Sequence, residues 1–138
     1  MAVWSTKAGR YDHALGPTLR ERLEHHAVVF LETNADPEAQ AFERMLLTEV
    51  RHFPELGRIY YETAVQVALE LIVKEIESAA EREGIPVHDA REAALTFTES
   101  MLGWSTLKLA LGIKPSAAER RRAAKYRAAV FIEGRAAW

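Results

Sequence analysis

Apolar residues recur at intervals of three and four positions along most of the chain, which is the spacing of one face of an α-helix. Leu69, Ile72 and Ile76, for example, fall on a single helical face. No alternating run of useful length occurs, so the pattern does not predict strands. It predicts an all-α domain, an antiparallel helical bundle of about five helices, over residues 18–33, 37–53, 54–83, 89–112 and 116–133.

Capping residues predict where these helices begin and end. Thr18–Glu21 and Ser116–Glu119 have the spacing of capping boxes, and Asp36 before Pro37 combines an N-cap with a first-turn proline. Residues that can adopt the left-handed conformation closing a helix follow four periodic segments. They are Asn34, Gly84, Gly112 and Gly134.

The joint from Glu49 to Leu56 separates two of the predicted helices with almost no loop. Pro54 lacks an amide N–H and has a fixed φ, so it ends one helix and suits the first turn of the next. Phe53 and Leu56 can be buried on either side of this joint. We therefore expect packing to set the angle between the two helices, and Pro54 to lie at a hinge.

The composition narrows the class of protein. The 138 residues suit one domain, and a net charge of −2 argues against a dedicated nucleic-acid binder. The absence of cysteine excludes disulfides, zinc-thiolate sites and thiol nucleophiles and fits a reducing cytoplasm. No apolar run approaches the roughly 20 residues of a membrane span, so we expect no membrane partner.

The N-terminal segment differs from the rest of the chain. Residues 1–16 lack the apolar core of a signal peptide. We expect them to be flexible or foreign to the domain, and residues 17–138 to form a single helical domain.

One pair of residues suggests a metal site. Glu49 and His52 have the Glu-x-x-His spacing of di-iron helical bundles. Such a site needs a second motif and two further carboxylates, which the predicted helices do not supply. His25 and His26 are adjacent and so point to different faces of their helix. We therefore expect no metal, no cofactor and no catalytic residue.

A run of basic residues, Arg120 to Arg122 with Lys125 and Arg127, could suggest phosphate binding. On one helix these side chains spread around more than half of the circumference, so a solvated face is favoured.

Several short motifs occur in a characteristic order. Residues 19–23 read Leu-Arg-x-Arg-Leu, residues 53–56 read FPEL and are followed by Tyr60-Tyr61, residues 112–115 read Gly-x-x-Pro, and residues 131–134 read Phe-Ile-Glu-Gly. In this order they resemble the C-terminal ligand-binding and dimerisation domain of TetR-family transcriptional regulators, over about residues 17–134.

The resemblance implies that residues 17–138 form a helical effector-binding and dimerisation domain. The last two helices would pair with those of a second subunit in a four-helix interface of a homodimer, and the other helices would enclose a pocket for a small apolar or aromatic effector. Residues 1–16 are too short to hold the family's helix-turn-helix domain. We therefore expect operator DNA to be bound only through such a domain outside this chain, in a cytoplasmic repressor that is not an enzyme.

The candidate pocket residues share an inward position on the first to fourth predicted helices, with aromatic or apolar bodies and a few polar tips. They are His26, Phe30, Phe42, Leu46, Tyr60, Tyr61, Val65, Phe97, Met101 and Trp104. Aromatic residues at helical spacing more often fill a core, so a filled core is the alternative.

The candidate dimer residues are mostly small, which lets helices approach closely. They are Ala94, Leu102, Gly103, Thr106, Ala123, Tyr126 and Phe131. A two-fold interface is the common solution for such a face, and packing within one chain is the alternative. For the protein as a whole, the alternatives to a regulator are a metal-dependent helical-bundle enzyme and a structural interaction bundle without a ligand.

Overall fold

A computed structural model describes residues 16–138, and the segment before residue 16 lies outside the described part, as does the expectation made for it. Within residues 16–138 the structure contains helices and no strand. The helices are α1 (Leu19–Asn34), α2 (Pro37–Glu49), α3 (Pro54–Tyr60), α4 (Gln66–Glu83), α5 (Ala90–Ala110) and α6 (Ala117–Glu133). A π-helical turn, Tyr61–Val65, joins α3 to α4 in one continuous helical run, and a short 3₁₀ turn, Arg135–Ala137, follows α6. The prediction of an all-α bundle is confirmed.

The predicted helix starts agree with the structure because capping chemistry fixes them locally. The Thr18 side chain accepts a hydrogen bond from the Glu21 backbone N–H, and the Glu21 carboxylate accepts one from the Thr18 backbone N–H at 3.1 Å. Ser116 and Glu119 form the same reciprocal pair at the start of α6. Each pair satisfies amide donors that have no partner inside the helix.

Two of the predicted helix stops differ from the structure. Gly84 and Gly112 have positive φ, as predicted, with values of 66° and 77°. No other residue among 16–138 does, so the left-handed conformation predicted for Asn34 and Gly134 is wrong. Asn34 is still helical, and Gly134, with φ −81°, leads directly from α6 into a 3₁₀ turn that keeps the chain right-handed.

The joint before Pro54 is longer than predicted. Helix α2 ends at Glu49, and the carbonyl oxygen of Glu49 accepts hydrogen bonds from the backbone N–H groups of His52 and Phe53. Phe53 has φ −130° and ψ 77°, outside the helical region, because the proline ring disfavours helical geometry in the residue before it. The two helices are therefore separated by a turn over residues 50–53.

The core lies between α1, α4, α5 and α6. Helix α1 packs along α6 and also contacts α4 and α5, while α4 packs along α5. The largest fully buried side chains come from these helices, and they are Leu19, Leu23, Ile72, Ile76, Phe97 and Met101. Burying side chains of this size stabilises a fold by about 1.5–3 kcal/mol each before the entropy cost is counted, so this four-helix core dominates the stability.

Residues 37–65, which comprise α2, α3 and the π-helical turn, form a wing that contributes little to this core. Helix α2 packs mainly against its chain neighbours; Leu46 is its single buried residue, and α3 has none. Phe42, which was predicted to face inward, is 38% accessible, and Met45 on the same helix is 54% accessible. Periodicity identified the apolar face correctly but not that it lacks a partner within the described residues.

Candidate effector pocket and dimer surface

Phe42 and Tyr60 form the main aromatic contact of the wing. Their ring centroids lie 5.6 Å apart with an interplanar angle of 51°, a tilted geometry that aromatic pairs favour. Burial raises the pKa of Tyr60, and the charge of Glu43 raises it further. The Tyr60 hydroxyl therefore remains protonated at neutral pH and can donate a hydrogen bond to a bound molecule.

The π-helical turn changes the direction of two predicted pocket residues. Tyr61 and Val65, which open and close this turn, are 50% and 42% exposed. The prediction that they face inward assumed 3.6 residues per turn, whereas a π turn holds an additional residue and so rotates the helix face. Their inward orientation is thus corrected, and Ala64 is the buried residue of this turn.

Four predicted pocket residues lie in the core shared by α1, α4, α5 and α6. Phe97 and Met101 are completely buried, and Phe30 and His26 are 3% and 5% exposed. The rings of Phe30 and Phe97 lie 6.4 Å apart, and those of Phe97 and Phe131 5.2 Å apart. These side chains fill space between the helices.

His26 belongs to a buried ionic cluster between α1 and α4. The Glu75 carboxylate accepts hydrogen bonds from Arg22 Nη2 at 2.7 Å and from Arg22 Nε, and it lies 3.4 Å from His26 Nε2. Burial by itself raises the pKa of Glu75, but the hydrogen bonds of His26 and Arg22, together with their charges, outweigh it and lower the pKa to about 2. The cluster thus holds a charged carboxylate inside the domain, and its geometry ties α1 to α4.

Trp104 lies apart from the other predicted pocket residues. Its side chain is 64% exposed, so its predicted inward position is also corrected. It lines a cleft between α1, α5 and α6 with a volume of ≈ 510 Å³, which we call the basic cleft because Lys108, Arg120 and Arg127 also line it. None of the other nine predicted pocket residues lines this cleft. The structure therefore divides the predicted pocket between the wing, the core and this surface cleft.

The predicted dimer residues range from buried to exposed. Ala94 and Phe131 are buried in the protomer's own core at 0% and 8% exposure, so these two side chains are unavailable to a second subunit. Thr106 is half-buried, and its hydroxyl accepts a hydrogen bond from the Asn34 side-chain amide at 3.1 Å. Leu102 and Ala123 are half-buried as well, whereas Gly103 and Tyr126 are exposed.

Large exposed side chains lie on α5 and α6, and among them only Tyr126 was predicted as a dimer residue. We define the α5–α6 face by the exposed residues Trp104, Leu107, Leu111, Tyr126 and Val130, whose exposed fractions range from 45% to 70%. Of these residues, Trp104 was predicted to face inward, since periodicity does not distinguish a core from an intermolecular surface. The sequence feature that could have indicated this surface is that apolar residues surround α5 on more than one side.

A second cleft adjoins the α5–α6 face near the C-terminus. It has a volume of ≈ 470 Å³ and is lined by residues that include Tyr126, Val130 and Trp138. Trp138 stacks on Phe131 at 4.5 Å, and its carbonyl oxygen accepts a hydrogen bond from the His88 backbone N–H at 2.7 Å. The end of the chain is thereby packed against the loop that precedes α5.

The described residues offer no grouping suited to a metal ion. No cluster of three or more His, Cys, Asp or Glu side chains occurs within residues 16–138, and His52 of the Glu-x-x-His pair is exposed. In the same part of the chain, no helix is both long and apolar enough to cross a membrane.

A comparison with protein families accounts for the order of motifs in the sequence. A family model described as the C-terminal domain of the AefR-like transcriptional repressors, a group of TetR C-terminal domains, matches residues 21–134. The chain belongs to this family. Comparison with curated proteins and with solved structures finds no significant match.

The family match covers the whole helical bundle. The match begins within α1 and ends just after α6, so it spans every helix of the bundle. The resemblance read from the FPEL joint and its neighbouring motifs is confirmed, and the chain is assigned to transcription regulation as a regulator's C-terminal domain.

Proposed function

We propose that this chain is the effector-sensing and dimerisation domain of a TetR-like repressor whose operator DNA is bound by a helix-turn-helix domain outside the chain. The effector is a small apolar or aromatic molecule. The domain acts as a cytoplasmic homodimer, without enzymatic activity and without a cofactor. The family match supports the role of a regulator's C-terminal domain. The wing supports the effector-sensing role, and the α5–α6 face supports dimerisation.

The loosely packed wing is the observation that carries the sensing role. Leu46 is the only buried side chain of α2, and α3 has none, so the wing exposes apolar surface that a ligand can cover. The proposed site residues are Phe42, Leu46, Tyr60, Tyr61 and Val65 of the wing. A molecule that binds one position of the wing more tightly shifts the population toward that position.

The turn before Pro54 and the π-helical turn bound the α3 segment of the wing. Both depart from regular α-helical geometry, and π turns are frequent at functional sites. A change at either place alters the direction of α3 without disturbing the core. In the intact regulator, this change would alter the spacing of the two DNA-binding domains.

The α5–α6 face supports the proposed homodimer. Soluble proteins that are monomeric rarely expose contiguous apolar patches beyond a few hundred square ångströms. Trp104 and Tyr126 line one cleft, and Tyr126 and Val130 line the next, so these three exposed residues are neighbours. A two-fold axis through this face would place the same residues of both subunits against each other.

Binding of the neutral fluorophore N-phenyl-1-naphthylamine tests the sensing role. We expect saturable fluorescence enhancement and slower amide hydrogen exchange in the wing, because a ligand specific for the native state stabilises it. Phe42→Ala should weaken binding about tenfold, since truncating an aromatic side chain that the ligand covers costs about 1–2 kcal/mol. Leu47→Ala, an exposed change on the same helix, should leave the affinity unchanged. Equal weakening by both changes, or no saturable binding of this probe, would contradict the proposed pocket.

A further inference from the structure

We propose that the wing binds an organic ammonium ion with an aromatic body, and that the Glu43 carboxylate selects its positive charge. The inference rests on the proposed effector-sensing role and deepens it, because it names the chemical class of the effector. The site is the contact between α2 and α3 around Phe42, Glu43 and Tyr60. None of these residues belongs to the α5–α6 face, so the proposed dimer does not require their burial.

Glu43 lies on the side of α2 that contacts α3. Ala39, Glu43 and Leu46 are half-buried or buried, and their spacing of four and three residues places them on one helical face. Val50 continues this face beyond the end of α2. A Cβ atom added at Gly57 of α3 would lie 2.7 Å from Val50 Cγ2, so the two helices approach each other closely along this face. The Glu43 carboxylate is therefore directed toward α3 and not into open solvent.

The hydroxyl of Tyr60 lies near the Glu43 carboxylate. Burial is the main cause of the raised pKa of Tyr60, and the charge of Glu43 adds to it without a hydrogen bond between the two groups. The effect of a charge falls with distance, so the carboxylate is close to the hydroxyl. The Phe42 ring lies 5.6 Å from the Tyr60 ring. One carboxylate, one hydroxyl and two aromatic rings thus occupy the same part of the wing.

The charge of Glu43 has no counter-ion in the described part of the chain. Glu43 forms no ion pair within residues 16–138. Arg58 of α3 is already paired with Glu62 at 3.1 Å. Arg44 is exposed and, as the next residue of α2, points about 100° away around the helix. A half-buried carboxylate without a cation loses hydration and gains no Coulomb attraction in return, so a positively charged ligand compensates it.

The wing as a whole carries an excess of negative charge. Residues 37–65 contain five acidic residues against three basic ones. A surface with an excess of one sign of charge concentrates ions of the opposite sign, so the wing attracts cations. This general attraction acts at a distance, whereas Glu43 acts at the site itself.

The side chains at the site suit an organic ammonium group. An ammonium ion is attracted to the faces of aromatic rings such as those of Phe42 and Tyr60. It can donate a charge-assisted hydrogen bond to the Glu43 carboxylate and another to the Tyr60 hydroxyl oxygen. A divalent metal ion needs several oxygen ligands, and no cluster of three or more candidate ligands occurs within residues 16–138. The aromatic body of the ligand would cover the apolar surface that the wing exposes.

Isothermal titration of the full chain at pH 7 with 2-naphthylmethylammonium chloride tests the inference, and the uncharged 2-naphthylmethanol serves as the control ligand of the same shape. We expect both to bind saturably and the ammonium compound to bind about tenfold more tightly, because it adds a charge-assisted hydrogen bond and a cation–π contact. Phe42→Ala should weaken binding of the ammonium compound, and unchanged affinity would place that compound outside the wing and contradict the inference.

Variants of Glu43 test the source of this preference. Glu43→Gln should weaken binding of the ammonium compound about tenfold, so that the two ligands bind almost equally. Glu43→Asp keeps the charge and should retain part of the preference, which keeps the test valid if Glu43→Gln alters the packing of the wing. Glu38→Gln is the matched control, since it removes the same charge from an exposed position of the same helix. It should leave the preference intact.

The outcomes separate this inference from the proposed function. If the wild type binds the ammonium compound and the alcohol equally, the inference is wrong while the site for an apolar ring stands. Equal loss of the preference in Glu38→Gln and Glu43→Gln would show attraction to an acidic surface only, and would also overturn it. If neither naphthyl compound binds and N-phenyl-1-naphthylamine does not bind either, the proposed effector site fails and the inference fails with it.

Discussion

Glu75 shows how much one side chain depends on partners that are distant in sequence. Its partners, Arg22 and His26, lie on α1, about fifty residues away along the chain. Because periodicity operates within one segment, it predicted an inward position for His26 but gave no reason to single out Glu75. The pairing depends on how α1 packs against α4, and only the structure provides this information.

Replacing Glu75 by Gln should lower the free energy of unfolding at pH 7 by about 2–4 kcal/mol, because it leaves Arg22 without its buried carboxylate. Urea denaturation measures the change. Glu70→Gln is the matched control, since Glu70 is on the same helix and pairs with Arg91, with both side chains almost half exposed. The control should cost less than about 1 kcal/mol.

The pH dependence of the same pair follows from the lowered pKa of Glu75. A carboxyl group whose pKa is about 2 when folded and near 4.5 when unfolded stabilises the fold above the unfolded value. This contribution is lost as the pH falls from 4.5 toward 2. The difference in stability between the wild type and Glu75→Gln should therefore shrink over that interval, and a constant difference from pH 7 to pH 3 would contradict the assignment.

Helix ends are the elements that the sequence predicts best. Caps depend on residues within one turn of each other, so the starts of α1, α2 and α6 could be read directly from local motifs. Pro54 marked the start of α3, which has no side-chain cap. The π-helical turn could not, because nothing in the residues of Tyr61–Val65 marks an additional residue in the turn. Because the prediction assumed 3.6 residues per turn throughout, it assigned Tyr61 and Val65 to the wrong face of the helix.

The two glycines that end α4 and α6 should respond differently to alanine. Gly84 has φ 66° and Gly134 has φ −81°, and only the first value disfavours an L-residue. Gly84→Ala should destabilise the domain by about 1 kcal/mol, although no atom lies within 4 Å of the added methyl group. Gly134→Ala should change stability by less than about 0.5 kcal/mol. Thermal unfolding compares them, and equal losses would contradict the difference in backbone geometry.

At the scale of the whole molecule, the order of the motifs was more informative than any single residue. The order of the motifs predicted the family, and the apolar spacing predicted the helical bundle; both are confirmed. The apolar spacing could not separate core from surface on α2 and α5, since the hydrophobic pattern of a helix does not reveal what covers it. Trp104 and Phe42 therefore were expected to face inward but are exposed.

Oligomeric state tests the α5–α6 face. We expect the protein to be a dimer at micromolar concentration and the double variant Tyr126→Glu/Val130→Glu to be monomeric, because two buried carboxylates without partners strongly oppose association. Light scattering coupled to size exclusion measures the mass. Met45→Glu/Leu47→Glu places the same charges on the exposed apolar surface of α2 and should remain dimeric. A monomeric wild type would remove the proposed interface.

The small buried surface of the wing has a consequence for cooperativity. A region opens locally at a cost set by the contacts it loses, and the wing contributes few buried side chains to the core. Local opening of residues 37–65 therefore costs less free energy than unfolding of the four helices around Phe97. The domain therefore consists of a stable four-helix unit and a marginally stable wing, and the midpoint of global unfolding reports the stability of the four helices. That midpoint does not measure the stability of the wing, which is the part proposed to sense the effector.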